Sequence, residues 1–303
     1  MMTIEKIDYK GWPNSYRVSN GEVEAVVTGD VGPRIIRFGF SGGQNFFKEF
    51  ADQLGPWGEA SWQPRGGHRL WVAPEHRIRT YALDNGPVDI VVAGDTLEAI
   101  EPVEPLTGLE KRIVVRMEAS GTRVALDHRI RNAGGAPVEL APWAPTMMAP
   151  GGYGIHGFPP RGTHPEDLDA SSPLVTWTYT NFADPRWKLL RKYLVLCQDP
   201  GNSDPQKLGC FNRDTWGAYL LNDELFVKRT RAEGPIASYT DNGCSFETFT
   251  NADFLEMETL GPLTRLAPGE TVTHTEYWSA HRGVEVRHWT DEELDRVIAP
   301  LVG

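Results

Sequence analysis

The feature that most constrains this chain is period-two alternation of apolar and polar side chains, cut into short lengths by Gly, Pro and Asn. Residues 122–131 show it most clearly: Val124, Leu126, His128 and Ile130 fall on one face, and Arg123, Asp127, Arg129 and Arg131 on the other. Ile113, Val115 and Met117 alternate with Arg112, Val114 and Arg116 just before the turn Ala119-Ser120-Gly121. Together the two runs predict a long hairpin in an antiparallel sheet that is half solvated. Further runs of strand length lie at 23–28, 34–40, 88–92, 97–101, 174–180, 193–197, 216–221 and 225–230. Asn20-Gly21, Gly42-Gly43 and Asn85-Gly86-Pro87 supply turns. Against these stands one helix, at 291–298, where Thr290 and Glu293 make a capping box and Leu294, Val297 and Ile298 an apolar stripe. Asp184-Pro185 suits the start of a short helical turn. About fifteen strand candidates and one helix predict an all-β chain of two large antiparallel sheets packed face to face. No Ser, Gly or charged linker divides the chain, so residues 1–303 read as a single domain.

Charge and composition exclude several function classes. A net charge of −11 argues against a nucleic-acid partner, because binding a phosphate backbone requires clustered Lys and Arg. No run approaches a membrane span, and Met-Met-Thr-Ile-Glu-Lys-Ile-Asp at the start lacks the apolar core of a signal peptide. The expectation is a cytoplasmic protein with no membrane partner. Cys197, Cys210 and Cys244 are widely spaced and form no CxxC pair, so they are expected as buried thiols rather than disulfides or zinc ligands. No HExxH motif, phosphate loop, dinucleotide fingerprint or Gly-x-Ser-x-Gly elbow occurs, and no metal or cofactor is expected. Gly29-Asp30-Val31-Gly32-Pro33 has the wrong glycine spacing and precedes a strand.

Three stretches carry candidate chemistry. In the run 254–260, Phe254, Glu256, Glu258 and Leu260 share one strand face. The two acids then lie roughly 6.5 to 7 Å apart beside apolar surface, where a carboxylate is costly unless paired or used. Glu247 reads as a partner for an arginine. The run Gly66-Gly67-His68-Arg69-Leu70-Trp71 combines a glycine pair that admits close backbone approach with donors and an indole suited to a sugar. Alternatively, His68 and Trp71 are core residues at a strand start. Residues 141–172 are rich in Pro, Gly, His and Trp with little periodicity, and read as a binding loop that carries His156 and His164. His128 reads as a packing histidine; His76, His274, His281 and His288 have no assigned role. Aromatic content of 10% fits a carbohydrate-binding protein and any large β-sandwich equally.

Gly32-Pro33-Arg34, the Gly-Gly-His-Arg-Leu-Trp run at 66–71, the passage around Trp143, Leu255-Glu-Met-Glu-Thr-Leu-Gly-Pro262 and Leu266-Ala-Pro-Gly-Glu270 occur in an order that resembles the galactose mutarotase-like superfamily, and more closely its DUF4380 branch. The resemblance spans nearly the whole chain. It implies a β-supersandwich, with a short C-terminal helix here, and a sugar-sized cleft on one sheet. In the aldose 1-epimerases of that superfamily a late Glu followed by Thr takes the proton of the anomeric hydroxyl, and a histidine protonates the ring oxygen. By that match Glu258 is the base, with Glu256 the competing register, and His68 corresponds to a histidine that acts on the sugar. Trp143 stands where the second histidine is expected, which passes the acid role to His68, His156 or His164. Arg34 or Arg69 would hold hydroxyls, and Trp71 or Trp143 would stack on the sugar, with Glu256 and His164 as further contacts. The resemblance therefore implies an aldose 1-epimerase-like isomerase acting on a small carbohydrate. The alternatives are a carbohydrate-binding or sensing domain without catalysis and, ranked below it, a glycoside hydrolase using Glu256 and Glu258.

Overall fold

The structure is a computed structural model and describes residues 2–303. Strands β1 (Thr3–Tyr9), β2 (Trp12–Ser19), β3 (Val23–Val27), β4 (Arg34–Phe40), β5 (Gly67–Arg69) and β6 (Trp71–Ala73) begin a first sheet. Strands β7 (Asp89–Ala93), β8 (Thr96–Ile100), β9 (Leu109–Met117) and β10 (Val124–Asn132) follow as an antiparallel ribbon in a second sheet, and β11 (Val138–Met148) returns to the first. The chain then alternates. Strands β12 (Tyr153–Gly157), β14 (Trp187–Leu189), β15 (Tyr193–Cys197), β17 (Asp214–Leu221), β18 (Glu224–Arg231) and β22 (Thr271–Arg282) complete the second sheet. Strands β13 (Leu174–Thr176), β16 (Gln206–Cys210), β19 (Phe246–Thr250), β20 (Leu255–Leu260) and β21 (Thr264–Leu266) complete the first. The sheets have twelve and ten strands, with β11 central in one and β22 in the other.

The alternation that predicts the strands also builds the layer between the sheets, because each strand points every second residue inward. Phe38, Phe47, Phe226 and Trp278 meet there edge to face, with ring centroids 5.3 to 5.6 Å apart in five of their pairs. Leu126 and Ile130 of β10 and Ile113 and Val115 of β9 join the same core. The predicted hairpin is therefore correct in position and in facing. The C-terminal helix α1 (Asp291–Val297) also forms as expected, with Thr290 Oγ1 accepting the Glu293 N–H. Leu294 and Ile298 pack on the outer side of the second sheet beside Leu225 and Val227.

One expectation is overturned. Residues 141–172 are not one loop: 141–148 lie in β11 and 153–157 in β12, and only the segment after Gly157 runs without strand until β13. Pro142 and Pro145 hide the strand from a periodicity reading, since proline weakens a strand assignment. The ladder tolerates Pro145 because β5 and β6 pair with β11 at Thr146 and Met147 and at Ala141 to Trp143, which leaves a break beside Ala144 and Pro145. The turn at Asp184-Pro185 adds no helix; the Asp184 carboxylate instead binds Arg186.

Candidate functional site

Register places the site residues. β11 pairs with β20 so that Trp143 lies opposite Leu260 and Pro145 opposite Glu258. β19 pairs with β20 so that Glu247 lies opposite Glu258 and Phe249 opposite Glu256. Lys207 of β16 is opposite Phe249, and Trp71 of β6 is opposite Trp143. Residues that oppose one another share a face, so Glu256, Glu258, Glu247, Lys207, Trp71 and Trp143 all project from the outer face of the first sheet, away from the core. The hairpin that carries the acids is set by Asn251, whose Oδ1 accepts from Asp253 N at 2.8 Å and Phe254 N at 3.2 Å. This is a local turn that asparagine is suited to close.

On that face three carboxylates and two cations interlock. Glu258 Oε2 accepts from Trp143 Nε1 at 2.8 Å and from Lys207 Nζ at 3.1 Å. The same ammonium lies 2.7 Å from Glu247 Oε2, and Arg69 Nη2 donates to Glu256 Oε1 at 2.9 Å. Aromatic rings cover the cations. Lys207 Nζ is 4.9 Å from the Trp143 ring and 4.7 Å from that of Trp177, and the Arg69 guanidinium lies 4.0 Å over Trp71. Trp62 and Tyr81 close the group, each 5.1 to 5.3 Å from Trp71. Glu247 and Glu258 are each only 1% exposed, so desolvation dominates their surroundings. Burial pushes the Glu247 carboxyl up to about 8 against the pull of Lys207, and it raises Glu256 despite Arg69. Burial disfavours charge on Lys207, but Glu247 and Glu258 outweigh it and hold its pKa well above the usual lysine range.

Several polar atoms of the cluster have no partner: Glu258 Oε1, Glu247 Oε1, Arg69 Nε and Nη1, and Trp62 Nε1. Buried polar groups are normally hydrogen-bonded. Two acceptors and three donors thus lie unpaired on one aromatic-walled face. A separate cleft of about 890 Å³ opens over Ala125 and Ser279 on the outer face of the second sheet, and none of the candidate residues lines it.

No family model and no curated protein matches the chain. Solved structures do. A putative aldose 1-epimerase from Klebsiella pneumoniae is similar with a TM-score of 0.60 at 11% identity, over 100% of this chain and 88% of that one. The Slr1438 protein from Synechocystis sp. gives 0.58 at 11%, over 92% and 99%. A galactose mutarotase-like protein from Lactobacillus casei gives 0.57 at 9%, over 88% and 100%. The fold is that of the galactose mutarotase-like proteins. At these identities the likeness is one of fold.

Within the mutarotase-like sandwich the structure gathers Glu256, Glu258, Arg69, Trp71 and Trp143 on one face, and turns His68 and His156 away from them. His68 pairs in register with Thr146 and Ile35 and therefore points into the core. Its Nδ1 is 2.8 Å from Thr146 Oγ1 and its Nε2 is 2.6 Å from His128 Nε2. His156 faces the core from the second sheet, stacked on Phe246 at 4.3 Å, with its pKa lowered by burial to about 4. Neither shares a face with Glu258. His164 is exposed on the segment after Gly157. Arg34 is on the outer face opposite Arg69, but it is committed to Asp84 at 2.7 Å and to the carbonyls of Pro64 and Gly66. Glu247 has a lysine partner, not the predicted arginine. The glycine pair answers to a backbone crossing rather than to a ligand. Gly66 and Gly67 have φ of +93° and +73°, and a Cβ on Gly67 would lie 2.9 Å from Ile36 Cα.

The sequence reading missed Lys207, Trp62, Tyr81 and Trp177. Lys207 sits in Gln206-Lys207-Leu208-Gly209-Cys210, where Leu208 and Cys210 are buried and alternate with Lys207 and Gly209. That alternation is the available signal, diluted by the glycine.

His68, His128 and Glu276 also bring potential metal ligands within 4.8 Å of one another in the core. Their partners fit a chain of protons better than a cation. His128 Nδ1 donates to the His274 carbonyl, which leaves His128 Nε2 to accept from His68 Nε2, and His68 Nδ1 to accept from Thr146. The Lys228 ammonium already lies 2.8 Å from Glu276 and donates to Thr146. Burial drives His68 well below the usual histidine range and lowers His128, as neutral rings require.

Proposed function

We propose that this protein binds a free or modified aldose on the outer face of the first sheet and interconverts its anomers, with Glu258 as the base for the anomeric hydroxyl. The observation that carries the reading is the set of unpaired polar atoms on Glu258, Glu247, Arg69 and Trp62 beneath the indoles of Trp62, Trp71, Trp143 and Trp177. Sugar hydroxyls donate and accept at once, so they answer carboxylate acceptors and guanidinium or indole donors together, while aromatic faces receive the sugar C–H surface. Glu258 is 1% exposed, so entry requires covering side chains to move. Trp62 and Trp177 are only partly buried and lie outside the strands, which makes them the mobile cover in this reading. Arg69 and Glu256 would fix hydroxyls, and Trp71 and Trp143 would form the stacking walls. The resemblance to the DUF4380 branch is consistent with this assignment.

Polarimetry and NMR exchange on freshly dissolved α-D-glucose, α-D-galactose and α-D-xylose test the reading. The expected result is acceleration on at least one sugar, reduced about 10²- to 10⁴-fold in Glu258→Gln. Wild type no faster than that variant on every sugar would remove the isomerase assignment. One observation favours a second reading, a sugar-binding domain without turnover: neither His68 nor His156 shares the face of Glu258. Calorimetric binding that persists in Glu258→Gln, with no turnover by wild type, would select it.

A further inference from the structure

With His68 and His156 turned into the core, neither strand histidine can supply the proton for the ring oxygen in the mutarotase-like reading. We propose that Glu247 is that acid: it holds the one proton of the buried cluster on Oε1, across the strand pair from Glu258, whose Oε1 is free to accept. The inference rests on the sugar-isomerase reading above. Its geometric basis is the cross-strand pairing of Glu247 with Glu258 and the single ammonium that both share.

Charge balance requires a proton. Glu247, Glu256 and Glu258 bring three negative charges, and Arg69 and Lys207 bring two positive ones, so the ionised cluster would carry a net charge of three minus two, or one negative. A buried net charge is costly, and uptake of one proton removes it. Hydrogen bonding decides where the proton goes, because donors favour the ionised form. Glu258 has two donors, Trp143 Nε1 and Lys207 Nζ, and Glu256 has the Arg69 guanidinium. Glu247 has only the ammonium of Lys207, which it shares with Glu258. Burial, which lifts the Glu247 carboxyl to about 8, acts in the same sense. Lys207 occupies Oε2 of both acids, so the proton and the opposing lone pair belong to the two Oε1 atoms, which have no partner.

A donor and an acceptor from neighbouring strands match an anomeric centre, where the ring oxygen and the hydroxyl are bonded to the same carbon. Glu258 Oε1 takes the proton of the anomeric hydroxyl, and the O–H electron pair forms the C1=O bond. The bond from C1 to the ring oxygen breaks, and that oxygen takes the proton of Glu247 Oε1. The open-chain aldehyde forms with Glu258 protonated and Glu247 ionised, so the charge of the cluster is unchanged. Rotation about C1–C2 and reversal of the steps give the other anomer and restore both acids.

The test uses the full chain and two independent readouts. In infrared spectra, wild type should show a protonated carboxyl band that fades as pH rises toward about 8; Glu247→Gln should lack it, and of the charge-conserving variants Glu247→Asp and Glu258→Asp only the first should shift it. In anomer exchange with the three sugars above, Glu247→Gln should lower kcat about 10²-fold or more, and wild-type kcat/KM should fall as pH rises through the same range. A Glu247→Gln variant as fast as wild type, or a carboxyl band unaffected by it, overturns the proposal. No acceleration by wild type on any sugar overturns the isomerase reading itself and the transfer step with it, and in that case the band alone decides whether Glu247 holds the proton.

Discussion

Glu247 and Glu258 stand directly opposite each other on neighbouring antiparallel strands, and both carboxylates rest on the ammonium of Lys207, at 2.7 and 3.1 Å. Like charges in that relation repel unless a cation or a proton intervenes, and here the sandwich buries all three groups.

Lys207→Met should therefore destabilise the protein by about 3 to 5 kcal/mol, because it leaves buried carboxylates uncompensated. Adding Glu247→Gln should recover part of the loss. Urea unfolding of the single and double variants measures both, and equal stability of wild type and Lys207→Met would show that the ammonium does not hold the acids together.

The pH dependence of stability carries a sign that depends on Glu247. Its folded pKa, about 8, lies above its unfolded value of 4.5, so the folded state retains a proton that the unfolded state releases. Its contribution is fully present below pH 4.5 and is lost as pH rises through 8. Wild type should thus lose stability relative to Glu247→Gln across this window. Denaturant midpoints of both proteins, measured at each end, give the difference; a constant difference would contradict the raised pKa.

The core histidines act in the opposite direction. Burial lowers His68, His128 and His274 below the ordinary histidine value of 6.5, His274 to about 3. The neutral rings contribute stability above pH 6.5, which is lost as pH falls and the unfolded chain binds protons. His68→Ala should cost about 2 to 4 kcal/mol through lost packing and the unpaired Thr146 and His128, and should reduce proton uptake on acid unfolding. It should leave sugar affinity unchanged, as measured by calorimetry, since His68 does not share the face of Glu258.

Trp143 has two separable contributions. Trp143→Phe keeps a ring near Lys207 but removes the Nε1–H donor to Glu258, at a cost of about 1.5 to 3 kcal/mol for a hydrogen bond to a charged group. Trp143→Ala also opens a cavity and should cost about 3 to 5 kcal/mol. Chemical unfolding of the pair separates the two, and equal losses would show that the N–H contributes nothing.

The sequence exposes the parts of this architecture that repeat on a short period. Residues 122–131 announce their strand because inward and outward side chains alternate without interruption, and Glu256 and Glu258 declare a shared face for the same reason. β11 stays hidden behind Pro142 and Pro145, since its place in the sheet depends on a break between β5 and β6 far away in sequence. The same limit misplaces the histidines. A residue type and a glycine-rich approach suggest a role for His68, but which side of the sheet it occupies follows from its pairing with Thr146, a long-range register that local sequence does not encode. Lys207 is missed because its significance comes from partners 40 and 51 residues later.

β11 sends Trp143 outward to Glu258 and Thr146 inward to His68 and Lys228. A slip of one residue would drive the indole into the core and expose the threonine, which breaks both networks at once. The strand therefore works like a two-sided key: the carboxylate cluster and the histidine chain each check the same alignment from opposite sides of the sheet. A homologue free to vary one cluster would still have its strand pairing verified by the other, so the chemistry on the outer face can change without endangering the fold that presents it.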